Sequence, residues 1–312
     1  MLARLRFGVI PAPPSDPRQV GIALAQVGAT PMCEVWRSRL PVQHGWADEV
    51  GYAHNGEVLF GHLCMAAADS TDLTAAATRA YLRIERLQRW LGYPCRLRMW
   101  NFLPHIHRGE GDAERYRQFN RGRHDALARK SGFEGVLPAA TAIGTHDGSI
   151  AVCFLAARTP GEQVENPRQV SAFHYPASYG PRSPSFSRAM LKHWPDGMHL
   201  FVSGTASIVG HRSLHPGDPL AQLDETFRNL RTLLQQAAAR QPAAGAFGAA
   251  ALRIYVRHAV LQEVLKKRVT ELFGVDVPLL WLCGDICRRD LLLEIEGLFT
   301  AAPLRTYRPE QA

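Results

Sequence analysis

The second half of the chain alternates between apolar blocks of two lengths. HLFVSGTASIVG (199–210) reads as a strand. Asp218-Pro219 then supplies an N-cap followed by proline in the first turn, and Leu220, Leu223, Phe227, Leu230 and Leu234 recur at helical spacing behind it. After the Ala/Gly-rich QPAAGAFGAA comes a strand, LRIYV (252–256), a helix over about 259–273, a strand PLLWLCG (278–284) and a last strand LLLEIEG (291–297). The first half repeats this order. VLFGHLCMAAA (58–68) predicts a strand, 72–92 a helix, CRLRMWNFL (95–103) a strand and 113–132 a second helix, before AATAIG and SIAVCFLAA close the unit as strands.

Strand, helix, strand, helix, strand, strand, written twice, predicts an α+β fold: two βαβαββ units, each with helices on one face of a mixed sheet. The expected divisions are 1–160, a connecting segment 161–197 rich in Pro, Ser and Arg with one short strand at QVSAFHY (169–175), and 198–312. In the last strand, Leu291, Leu293 and Ile295 would share one face, and Leu292, Glu294 and Glu296 the other. Two carboxylates on one face of a leucine-rich strand mean either a solvated edge or a buried acid.

A formal charge of +8 calls for an anionic partner. The arginines are spread through helices and loops, and no basic block exceeds KKR (266–268), which favours a small anion over nucleic acid. No apolar run approaches the ~20 residues of a membrane-spanning helix, and the N-terminus lacks a secretory apolar region, so no membrane partner and a cytoplasmic location are expected. Cysteines 33, 64, 95, 153, 283 and 287 sit mostly in apolar segments, as suits reduced thiols. His105-Ile106-His107 and the pair His211 and His215 lie in loop-like stretches without a third ligand nearby. No metal and no cofactor are expected.

Both second helices carry the same anomaly. Leu261, Val264, Leu265 and Leu272 form an apolar stripe with Arg268 at its centre; Tyr116, Phe119 and Leu127 form another with Arg123 at its centre. An arginine in a core-facing stripe needs an anion, since leaving it unpaired costs several kcal/mol. That anion is either a protein carboxylate, a solvent-edge position reached by snorkelling, or a ligand. The same feature in two related units favours a ligand with two carboxylates, each held by a guanidinium fork.

With these residues in view, the chain resembles the chorismatases, bacterial enzymes that cleave the enolpyruvyl ether of chorismate and release pyruvate. The likeness is carried by WNFLPHIH (100–107), ERYRQFNRGR (114–123), FSRAM (186–190), VSGTASIVGH (202–211) and GDICRRDLLLEIEG (284–297), in order along nearly the whole chain. It is greatest to the bifunctional members that form 3-hydroxybenzoate and 4-hydroxybenzoate, and it implies a RidA/YjgF-like fold. It further implies that Glu294 is the catalytic acid and that Tyr116, Arg123, Tyr175 and Arg268 contact substrate, with Lys267 the rival of its neighbour Arg268. Ala172 and Gly204–Ala206 would line the ring pocket, and Cys287 would shape the product. The resemblance also implies a supply of ubiquinone and pigment precursors. Two such units in one chain suggest a monomer. One departure concerns the deaminases of the RidA type, whose strand before EIE opens with an arginine; here it opens Pro278-Leu279-Leu280. Rival readings are a hydrolytic chorismatase giving a dihydroxycyclohexadienoate, and a non-catalytic small-anion binder. Glu296, next on the same face, is expected to be a solvent-reaching charge at the strand end rather than to share a proton with Glu294.

Overall fold

Alternation along the strands gives each sheet two apolar faces, and both are covered. The computed structural model describes residues 1–8, 15–28, 30–66, 72–146, 149–241 and 245–301. Four short strands come first: β1 (Ala3–Phe7), β2 (Gln19–Ile22), β3 (Ala25–Gln26) and β4 (Cys33–Trp36). The first unit follows as β5 (Gln43–Ala47), β6 (Val50–His54), β7 (Val58–Met65), α1 (Leu73–Leu91), β8 (Cys95–Pro104), α2 (Arg115–Leu127), β9 (Ala139–Thr145) and β10 (Ile150–Ala157). The second comprises β11 (Glu162–Val164), β12 (Ala189–Trp194), β13 (Gly197–Thr205), a small hairpin β14 (Ile208–Val209) and β15 (Arg212–Ser213), α3 (Pro219–Arg240), β16 (Gly248–Val256), α4 (Leu261–Phe273), β17 (Leu279–Cys283) and β18 (Leu293–Ala301).

The two large sheets have one topology. The first is ordered β5-β6-β7-β10-β8-β9, the second β11-β12-β13-β18-β16-β17-β3. In each, the last strand inserts antiparallel between the hairpin and the strand that follows the first helix (β10 beside β7 and β8, β18 beside β13 and β16). In each, the strands flanking the second helix run parallel. The α+β plan of two βαβαββ units is therefore the observed one.

Successive residues of one strand serve different cores. On β8, Met99 and Leu103 pack with α1 and α2 residues such as Tyr81, Ile84 and Phe119. Trp100 and Phe102 point the other way, into a cluster shared with Phe201, Tyr255 and Leu282 of the second sheet. On β18, Leu293 and Ile295 join Leu223, Leu230 and Leu265 of α3 and α4. The sheets thus face each other with the helices outside, and any charge on the inward faces of β8 or β18 is buried between the units.

The helix termini follow their signals. Asp72 accepts from Ala75 N at 3.0 Å to open α1, and Gly92, at φ 76°, closes it. Asp218 accepts from Ala221 N at 3.0 Å to open α3, with Pro219 in the first turn.

Three expectations are corrected. Residues 169–175 form no strand; a single 3-10 turn, Ala172–His174, stands there, and the segment 161–197 instead contributes β11 and β12 to the second sheet. The strand expected over 199–210 ends at Thr205. The last strand begins at Leu293, so Leu291 leaves the face of Leu293 and Ile295 and packs between the sheets.

Candidate active site

A cavity of about 280 Å³ opens between the units. The first unit contributes Tyr116 and Arg123 from α2 and Ala140, Thr141 and Ala142 from β9. The second contributes Gly204 from β13, Glu294 from β18 and the loop residues Cys287, Arg288 and Arg289. Tyr175, Tyr179, Phe186 and Arg188 come from the segment between them. The loop before β18 is fixed to the first unit by paired backbone hydrogen bonds between Gly144 and Asp285, of 2.8 and 3.0 Å. A Cβ on Gly144 would lie 2.4 Å from Ile106 and 2.7 Å from Asp285 Cβ, so glycine permits this approach.

Glu294 and Glu296 both face inward from β18, and both are buried, at 4% and 2% exposure. Their surroundings differ. Glu296 accepts from Trp100 Nε1 at 2.9 Å, Arg253 Nη1 at 3.0 Å and Tyr255 OH at 2.8 Å, and also from Arg98 Nη2 and Thr141 Oγ1. Burial alone would raise its pKa, but the Arg98 and Arg253 charges and these donors bring it below the ordinary glutamate value. Glu294 faces the cavity. Burial, together with the nearby Glu296 charge, pushes its pKa up to about 8 against the opposing pull of Arg98 and Arg188. It is a carboxylic acid at neutral pH. The expectation that Glu296 reaches solvent at a strand end is overturned: β18 continues to Ala301, and Glu296 lies buried in the seam between the two sheets.

Room for the Glu294 carboxyl comes from Gly204. The β13–β18 register shifts between Val202 and Thr205, a bulge that places Gly204 against the acid. A Cβ there would stand 2.0 Å from Glu294 Oε1. Gly204 N donates to Thr141 Oγ1 at 2.9 Å, which ties this backbone to the hydroxyl that donates to Glu296.

Opposite the acid stand cations. Arg123, 2% exposed, donates from Nη2 to Asn120 Oδ1 at 2.9 Å and lies 5.0 Å from the Phe119 ring, but its Nε has no partner among the described residues. Arg188, 4% exposed, donates to Val170 O at 2.8 Å and Tyr175 OH at 2.7 Å, again leaving Nε without one. Arg288 stacks 4.2 Å from the Tyr179 ring and donates to His211 O at 2.8 Å, leaving Nη2 without one. All three guanidinium groups belong to residues that line one cavity, where they are suited to carboxylates. The Cys287 thiol, pushed up to about 12 by burial and then by Glu294, is neutral and lines the wall as a small apolar group. Burial likewise raises the Tyr116 phenol, which remains an O–H donor.

A second cavity, of about 270 Å³, lies on the other side of Glu296, among Trp36, Trp100, Phe201 and Leu280. Its charges already satisfy each other: Arg253 makes two 2.7 Å hydrogen bonds to Glu34 and one of 3.0 Å to Glu296.

Of the residues singled out from the sequence, Glu294, Cys287, Tyr116, Arg123, Tyr175, Gly204 and Ala206 line the first cavity. Ala172 does not; it is buried in the turn leading to Tyr175. Arg268 does not either. The buried residues of α4 are Leu265 and Val269, and Arg268 sits at the flank of that face, 40% exposed, bonded to Asp224 at 2.8 Å and Glu271 at 3.1 Å. Lys267 is exposed beside it. Sequence reading missed Thr141, Arg188 and Arg288. Arg188 lies within FSRAM and Arg288 within GDICRR, so both were among the residues that carried the resemblance, but neither sits in a periodic element that would flag its burial.

A buried glutamate and several arginines lining one cavity between two α+β units have the character of a site for a small anion. Residues 34–156 match the family described as chorismatase FkbO/Hyg5-like, N-terminal. A 3-hydroxybenzoate synthase from Streptomyces hygroscopicus is 39% identical over 282 residues, spanning 86% of this chain and 82% of the relative. A chorismatase from Streptomyces rapamycinicus is 38% identical over 275 residues, spanning 85% and 81%. A crystal structure of a chorismatase superimposes with a TM-score of 0.84 at 30% identity, covering 95% of this chain and 92% of that one. The chain belongs to the chorismatase family.

Proposed function

We propose that this chain cleaves the enolpyruvyl ether of chorismate, releasing pyruvate and 3-hydroxybenzoate, 4-hydroxybenzoate or both, with Glu294 as the acid. The observation that carries this reading is the Glu294 carboxyl, pushed up to about 8 and facing a cavity that Arg123, Arg188 and Arg288 also line. Chorismate is a dianion, and its vinyl ether breaks when the terminal methylene carbon takes a proton. Glu294 supplies that proton. The resulting oxocarbenium ion collapses with cleavage of the bond between ring C3 and the ether oxygen, which leaves as the carbonyl of pyruvate. Attack of the ring 4-hydroxyl on C3 leads through an epoxide-like intermediate to 3-hydroxybenzoate; direct elimination leads to 4-hydroxybenzoate. Pyruvate and hydroxybenzoate together contain the atoms of chorismate, so neither water nor a redox partner is consumed.

Cys287, Tyr175 and the small residues Gly204 and Ala206 line the cavity around this chemistry, which supports a role in positioning the ring and selecting the product. Because the cavity is formed by both units of one chain, a monomer suffices, and light scattering of the purified protein checks this. The central test is incubation with chorismate and assay of pyruvate. Release well above the spontaneous rate is expected, and Glu294→Gln should lower it by about 10²–10⁴-fold while the protein stays folded. No release from the wild type rejects the activity; full turnover by the variant removes Glu294 from the acid role. Chromatography of the products separates the two hydroxybenzoates and would reveal a dihydroxycyclohexadienoate, the mark of hydrolysis.

A further inference from the structure

The geometry points to Glu296 as a positioning residue for the proposed reaction: held as a permanent anion by donors from both units, it keeps the adjacent Glu294 in its acid form and facing the cavity. The inference rests on the reading of Glu294 as proton donor and concerns what maintains that state. Glu296 and Glu294 are two positions apart on the inward face of one strand, so their carboxyls lie on the same side of it, both largely buried. Two buried carboxylates so placed disfavour each other's ionisation, and their surroundings decide which one holds the charge.

The donors decide it. Glu296 takes five: Arg98, Trp100 and Thr141 from the first unit, Arg253 and Tyr255 from the second. Glu294 takes none among the described residues. The negative charge therefore resides on Glu296, and the proton of the pair on Glu294. Other groups face Glu294 as well. Arg98 on β8 and Arg188 ahead of β12 oppose protonation, while Tyr116 on α2, Cys287 in the loop before β18 and Tyr255 on β16 are neutral at pH 7. Arg123, Arg288 and Arg289 line the cavity and wait for substrate charge. Glu114, the remaining acid of the cavity, is part-exposed and lies 3.7 Å from His107. Glu296 is the buried anion on the strand of the acid itself, and three of its five donors belong to the other unit. The acid is competent only where the two sheets meet.

The sign of the effect is fixed. Glu296→Gln removes the anion and leaves Arg98 and Arg253 less neutralised, and both changes favour ionised Glu294. The pH above which pyruvate release declines should fall by about 1–2 pH units, with activity recovering as the pH is lowered. Glu296→Asp retains the charge and should restore the wild-type profile. A purely structural role would lower activity at every pH without moving the profile. A second readout needs no substrate. In the infrared spectrum the wild type should show a protonated-carboxyl band at pH 7 that is absent from Glu294→Gln and that titrates away at lower pH in Glu296→Gln. An unmoved profile and band in folded Glu296→Gln overturn the proposal. Should that variant not fold, Glu34→Gln takes its place: it removes the outer partner of Arg253 and should move the same band the same way by a smaller step, and an unmoved band again overturns the proposal. Loss of the reading itself would look different: Glu294→Gln would keep its turnover, whatever the band shows.

Discussion

β10 and β18 occupy the same place in their sheets, each inserted between a hairpin and the strand after the first helix, yet their inward faces have opposite character. β10 presents Ala151, Cys153 and Leu155 to the space between the units, whereas β18 presents Glu294, Glu296 and Leu298. The second helices diverge in the opposite sense. In the first unit Arg123 is buried at the cavity; in the second Arg268 lies on the outside, held by Asp224 and Glu271. The second unit thus contributes both acids, and the first contributes most of the donors to Glu296: Arg98, Trp100 and Thr141. A charge on an inward face is tolerable where the opposite sheet supplies its partners. A pair of identical units would set acid against acid.

Substitutions can break this asymmetry. The largest effect in the series should come from Arg123→Met, which removes a buried guanidinium and should lower kcat/KM for chorismate by about 10²-fold; steady-state kinetics with no change would dissolve the contrast between the helices. Gly204→Ala comes next. Its methyl group would displace the Glu294 carboxyl, and kcat should fall by about 10-fold or more while circular dichroism stays native. Cys287→Ala should alter the ratio of 3- to 4-hydroxybenzoate more than the total rate, and an unaltered chromatogram would argue against a product-setting role. Arg268→Met should be the mildest, with kcat/KM within about two-fold of wild type, as for other exposed ion pairs. A large loss there would restore the symmetry that the structure denies.

Much of the fold was legible because it is written in local periodicity. The helices expected at 72–92 and 113–132 and the strands at 95–103 and 252–256 appear within a few residues of their expected ends, and the order of both units follows. Arg123 was legible for the same reason: its stripe, with Phe119, is the buried face of α2. The identical rule misplaced Arg268, because one position around a helix separates core from flank and Asp224 on α3 was ready to pair with it. Glu296 was misread because its partner Arg98 lies 198 residues away in sequence. Arg188 and Arg288 sit in irregular segments, where no period reports burial, and Ala172 lies in a turn mistaken for a strand.

The β13 bulge at Gly204, the β9 hydroxyl of Thr141 and the two acids of β18 each occur once per molecule. In a ring of identical subunits, any substitution is imposed on every interface at once. Joining the units in one chain removes that obligation. One cleft holds Glu294 together with Arg123, Arg188 and Arg288, while the cleft across Glu296 has its charges mutually paired. Within one chain the two clefts can differ, as a ring of identical subunits would not allow.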